Sequence, residues 1–292
     1  MTVDYSLEGL EAILSKEAPG ADTDISIYCQ NINSSCDQLA KIGSKYALAA
    51  AHGSTTSELC NSSFSEFFAC LKTLCHCVSE IPNSVGSSLR QFIVKCVQNI
   101  IHSTKELMKA EAPQAKVSVG MFLQNIQVLK QCPRNNPTYI ATKLTVIIAQ
   151  ITDAMDECDQ LLQGHAFDGD CAPDDNETLW LYQAKKLLKT NILSLSKIQL
   201  LFINTAQVSP TWIKHSEEIY TLALQISSSA DDFVSSLDLP LDMDDEFMIN
   251  GAKDLIRDAK IVLKLAQDCS QCDWFTTCDN QLSTLLGSLK LN

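Results

Sequence analysis

Turn-forming residues are scarce in this chain, which has only 10 glycines and 8 prolines among 292 residues. An all-β protein needs many more chain reversals than that supply allows. Long apolar runs are missing too. The longest, such as Leu144 to Ile151, fall far short of the roughly 20 residues that cross a bilayer. The opening Met1-Thr2-Val3-Asp4-Tyr5 has neither the basic nor the apolar region of a secretory signal. Basic charge is in deficit, with 22 Lys+Arg against 35 Asp+Glu and a net charge of −13. No run of five Lys/Arg occurs, and Lys185-Lys186 with Lys189 reads as ordinary helix surface. Such a surface repels phosphate backbones and anionic headgroups, which argues against direct nucleic-acid or membrane binding. GxGxxG, GxxxxGK, HExxH and GxSxG are all absent, and the five histidines are scattered. No sequence motif therefore points to an enzyme or to a cofactor.

What the chain does contain is helical periodicity. Ile140, Leu144, Ile147, Ile151, Ala154, Cys158 and Leu161 recur at alternating steps of four and three. That spacing lays one narrow apolar stripe along a helix. Pro137 stands where a first-turn proline is tolerated and Gly164 closes the far end, so the rod spans about 37 Å. Phe64, Phe67, Phe68, Leu71, Leu74, Val78 and Ile81 form a second stripe, stopped by Pro82. Leu89, Ile93, Cys96, Ile100 and Leu107 form a third, ending before Pro113, and a shorter helix runs from Val117 to Leu129. Upstream, Ile25, Cys29, Ile32, Cys36, Leu39 and Ile42 predict a long helix, with a short one around Leu7, Leu10 and Leu14.

After His165 the texture changes to Phe167-Asp168-Gly169-Asp170-Cys171-Ala172-Pro173-Asp174-Asp175-Asn176-Glu177, polar and acidic with both Gly and Pro. This is the expected linker. Helices are predicted beyond it over 178–206, 210–229, 246–268 and 273–289, with Ser209-Pro210 as cap and first-turn proline. No alternating strand pattern appears. The expected fold is therefore all-α: two antiparallel helical bundles, of the five-helix vinculin- and talin-like kind, over 1–165 and 178–292, joined by an acidic linker at 166–177. The charge is uneven across it, with net −4 up to His165 and net −9 from Ala166 onward.

Four clusters carry possible chemistry. Cys269-Ser270-Gln271-Cys272 with Cys278 has the spacing of a half zinc site, but a closed site needs four ligands and no second CxxC exists. Cys75 and Cys77 diverge by about 200° on a helix and cannot share an ion. With 13 cysteines, an odd number, several of them on apolar faces, the reading is free structural thiols in a reducing compartment rather than a disulfide scaffold. Asp168, Asp170, Asp174 and Asp175 resemble a calcium loop only superficially, because Pro173 occupies the position where glycine is needed. The run Asp242-Met243-Asp244-Asp245-Glu246 has two readings. It can be a helix start whose carboxylates complement the dipole. It can also be a docking patch for a basic partner, with Asp242, Asp244, Asp245 and Glu246 as contact residues.

Several blocks, over roughly residues 60 to 292, resemble the cyclin-D-interacting protein family, also described as maternal Id-like helix-loop-helix proteins. They are Leu89-Arg90-Gln91-Phe92 running on to Glu106-Leu107-Met108, Gln131-Cys132-Pro133-Arg134-Asn135-Asn136, and the long helix ending in Glu157-Cys158-Asp159. Trp180 through Leu193-Ser194-Leu195-Ser196-Lys197, Asn250-Gly251-Ala252-Lys253, and Trp274 before the last helix complete the set. The resemblance implies a non-enzymatic adaptor, cytoplasmic and nuclear, whose partners are D-type cyclins and helix-loop-helix factors and which restrains cell-cycle entry or transcription. The alternative reading from the bundle architecture alone is a cytoskeletal or junctional adaptor.

Overall fold

The computed structural model describes residues 3–16, 18, 25–51, 57–109, 112–166, 169–170, 172–205, 208–237, 239–242, 245–270 and 272–288. Of these, 87% are helical. The chain is all-α, with ten α-helices among the described residues. Two compact units result, Met1–Tyr139 and Ile140–Asn292.

In the first unit, α1 (Val3–Leu14), α2 (Ser26–Ala51), α3 (Ser57–Ser79), α4 (Ser87–Lys109) and α5 (Ala112–Lys130) come in order. Helix α2 packs on α3 and α5, and α4 on α3 and α5, so four helices close a ring. Helix α1 lies against α3 and α4. The predicted stripes face this core: Phe67, Leu71, Leu74, Val78 and Ile81 of the second, and Leu89, Ile93, Cys96, Ile100 and Leu107 of the third, are buried. Phe67 sits at the centre, edge-on to Phe122 at 5.6 Å and to Tyr46 at 6.4 Å. Gly43 makes room for this cluster, because a Cβ there would lie 2.5 Å from the Phe122 ring. Helix α5 begins earlier than Val117, at Ala112. Pro113 does not stop it, since a first-turn proline lacks only an N–H that would have no helical partner.

Helix α6 (Asn136–Leu162) carries the clearest predicted stripe, and all seven of its positions are buried. The division into units falls inside this helix, away from the acidic segment where the sequence places a linker. Hydrogen bonds explain why the body of α6 groups with the helices after it. Gln199 Nε2 donates to Ala141 O at 3.0 Å and Thr145 Oγ1 at 2.6 Å, Lys185 Nζ to Asp159 at 2.8 Å, and Ser227 Oγ to Gln150 Oε1 at 3.1 Å. Their donors sit on α7 (Asp175–Ile203) and α8 (Pro210–Ser235); α9 (Glu246–Cys269) and α10 (Asp273–Ser288) complete the unit. Helix α9 packs on α7, α8 and α10, and α7 on α8 and α10. The acidic segment is not wholly irregular. After Gly164, at φ +80°, β1 (His165–Ala166) and β2 (Gly169–Asp170) form a two-residue antiparallel pair that reverses the chain, an element that the alternation rule cannot detect. Among the described residues, no helix is long and apolar enough to cross a membrane.

Candidate protein-binding site

Helix α7 starts with a capping box. Asp174 accepts hydrogen bonds from the N–H groups of Asn176 and Glu177, and the Glu177 carboxylate accepts from Asp174 N–H at 2.7 Å. Glu177 is buried, and its other oxygen accepts from Leu241 N–H at 2.6 Å. One carboxylate thus ties the start of α7 to the chain that leads into α9. The Asp242 carbonyl accepts from Asp245 N–H at 3.0 Å, and the Asp245 side chain caps α9 by accepting from Phe247 N–H at 2.9 Å.

Beside these caps lies an open groove of about 500 Å³, lined by Asp232, Ser235, Ser236, Pro240, Asp242, Asp245 and Phe247. Here the four expected contact residues separate. Asp242 and Asp245 line the groove, Glu246 is exposed in the first turn of α9 and does not line it, and Asp244 lies outside the described residues. Five of the lining residues escaped the sequence reading, and two of them shape the groove's chemistry most. Asp232 comes from the end of α8, and Phe247 stands 64% exposed beside the carboxylates. An exposed phenyl ring among three carboxylates fits a basic, partly apolar segment better than a bare acidic patch would.

The zinc-like cysteines separate as well. Cys269 ends α9 with its sulfur 3.6 Å from His215 Nδ1, while Cys278 is buried in α10. Among the described residues, no group of three or more His, Cys, Asp and Glu is placed to hold a metal ion. Eleven cysteines, Cys36, Cys75, Cys158, Cys269, Cys272 and Cys278 among them, are free thiols. Burial pushes Cys36, Cys75 and Cys158 up to about 12, which suppresses the reactive thiolate. Asp170 belongs to β2, Asp174 caps α7 and Asp175 opens its first turn, while Asp168 lies outside the described residues. The calcium-loop spacing thus coincides with a helix start.

Two of the family-like blocks meet at one end of the first unit. Gly86, at φ +114°, ends the 3-10 turn Asn83–Val85 just before α4, and a Cβ on it would lie 2.2 Å from the Asn136 side chain. Asn136 is fully buried and its Oδ1 accepts from Leu89 N–H at 3.1 Å. Arg90, also buried, donates from Nε to Ile81 O at 3.0 Å and from Nη2 to Lys16 O at 2.6 Å. Phe92 and Tyr139 stack at 5.0 Å, and Asn135 Oδ1 caps α6 by accepting from Thr138 N–H at 2.8 Å. Leu89-Arg90-Gln91-Phe92 and Asn135-Asn136 therefore interlock, and their chemistry is that of helix ends.

No curated protein matches the chain significantly. Residues 31–164 do match the family model described as Grap2 and cyclin-D-interacting, N-terminal. The match begins within α2 and runs to the glycine just beyond α6, across the interlocked blocks. Residues 31–164 are thus similar to the N-terminal domain of the Grap2 and cyclin-D-interacting proteins, the same family that the sequence blocks resemble.

Proposed function

We propose that this chain is a non-enzymatic adaptor, cytoplasmic and nuclear, that binds D-type cyclins and helix-loop-helix factors in an Id-like role and so restrains cell-cycle entry and transcription. The observation that supports this reading is the domain match over residues 31–164, whose family description includes cyclin D interaction. The acidic groove adds the place where a basic partner segment is steered in. Asp232, Asp242 and Asp245 set the sign of its field, and Phe247 supplies apolar contact. Steering of this kind acts on the association rate and is screened over about 8 Å at physiological salt.

Surface plasmon resonance at two ionic strengths, with purified D-type cyclin and a basic helix-loop-helix factor as analytes, tests the proposal. Changing Asp242, Asp244, Asp245 and Glu246 to Asn or Gln is expected to slow association several-fold at low salt while leaving dissociation nearly unchanged. Asn at 245 remains a good cap, so the melting temperature should hardly move. An unchanged, salt-insensitive association rate rejects the groove as the docking site. Failure of both analytes to bind the unmodified chain rejects the adaptor reading itself.

A further inference from the structure

Helix α7 presents a second surface with the opposite charge. From Thr178 to Ser216 the sequence has no acidic residue, in a chain whose net charge is −13. The outward positions of α7 are Leu179, Tyr182, Leu193, Leu200 and Ile203, interleaved with the exposed Lys186, Lys189 and Lys197. The five apolar side chains are between 48% and 61% exposed. All seven steps between these eight positions are three or four residues, so they fall on one stripe. Its edges are fixed by polar contacts: Lys185 with Asp159, and Gln199 with Ala141 and Thr145, on the α6 side, and Gln183 with Ser288 on the α10 side. The opposite face, with Ala184, Leu187, Leu188, Leu195, Ile198 and Phe202, is the core of the unit. Helix α7 is thus apolar on two faces, and among the described residues only one of them is covered.

We infer that this stripe docks an amphipathic helix of a partner protein, one with an apolar seam flanked by Asp or Glu. Three features select that occupant. The stripe runs from Leu179 to Ile203, about 36 Å, and is about one helix diameter wide, which is the footprint of a helix rather than of a globular face. Its only charges are positive, so acidic flanks complete ion pairs that basic flanks would forbid. A second copy laid α7 against α7 would bring lysine rows together, and the strongly acidic chain around the stripe repels an anionic lipid surface. This surface lies outside the acidic groove and selects partners of the opposite sign.

Fluorescence anisotropy on the full chain tests the inference. The probe is a labelled peptide of about 25 residues, designed with a leucine seam and glutamate flanks to match one helix length. Saturable binding that weakens with added salt is expected. The combined variant Lys186→Glu, Lys189→Glu, Lys197→Glu should weaken it roughly tenfold, because several exposed pairs are lost and repulsion is added. A charge-matched control, Lys41→Glu, Lys72→Glu, Lys95→Glu, should bind as the unmodified chain does. Equal affinities for the two triple variants would overturn the proposal. So would a micromolar dimer in sedimentation that the α7 variant abolishes, or binding to phosphatidylserine vesicles but not to the peptide.

Discussion

Arg90 is a buried cation that meets carbonyl oxygens, those of Ile81 and Lys16. These groups sit just beyond the ends of α3 and α1, where the dipole is negative and orphan carbonyls accumulate. Replacing Arg90 with Met keeps the apolar stem and removes both hydrogen bonds. The expected loss is about 2 kcal/mol in urea unfolding, the usual cost of orphaning buried acceptors. A loss below a few tenths would mean that water satisfies those carbonyls. The buried thiols make a different prediction at the same scale. Their folded values, up to about 12, lie above the ordinary 9. Folding therefore favours the protonated thiol, and its contribution is fully present below pH 9 and fades as pH rises from 9 towards 12. Melting monitored by circular dichroism should be flat in the neutral range and fall in that alkaline window. A melting temperature still flat at about pH 11 contradicts the burial of these groups. At neutral pH, chelator and reductant should leave it unchanged, because free thiols have no metal or bridge to lose.

The start of α7 carries two carboxylates of unequal weight. Asp174 caps its own helix, whereas Glu177 closes the box and also holds Leu241, just ahead of the cap of α9. Asp174→Ala should cost about 1 kcal/mol. Glu177→Ala should cost about twice that, since it also leaves the Leu241 N–H orphaned. Equal losses in guanidinium unfolding would show that the Leu241 bond contributes little. Elements of this kind mark where the sequence is readable. The stripe of α6 can be read directly because helix packing itself imposes steps of three and four on Ile140 through Leu161. The caps at Ser209 and at Asp245 also show locally, as short polar side chains that precede an amphipathic run. Pro113 resembles a stop in the sequence although it lies within the first turn of α5. Asp232 and Phe247 were illegible as groove residues, because a groove is made by elements brought together in space and leaves no fixed spacing in the chain. The outer face of α7 was hidden for another reason. A helix that is apolar on both faces has no clear period to betray which face is covered.

At the scale of the whole molecule, two boundaries compete. The family match closes after α6, at residue 164, while the compact units divide within that helix, between Tyr139 and Ile140. We propose fragment 1–165, the first bundle expected from the sequence, to distinguish a folding unit from a family unit. Helices α2 to α5 keep their closed ring in it, but α6 loses the side chains of Lys185, Gln199 and Ser227. Hydrogen exchange should therefore stay slow across α2 to α5 and become fast along α6 beyond Ile140. Slow exchange throughout α6 would instead make 1–165 a self-sufficient domain.

The contact between Gly86 and Asn136 reaches beyond stability into heredity. One position has no side chain and the other fills the space that a side chain would take, although the two are far apart in the sequence. Neither can drift alone: any Cβ at 86 adds a forbidden backbone angle to a collision, and a smaller residue at 136 orphans Leu89 N–H and leaves a void. The two sites behave as one locus with two distant addresses. In a library randomised at both, with selection only for folding, survivors should be dominated by the glycine–asparagine pair. The exceptions should change both positions at once, as linked alleles do.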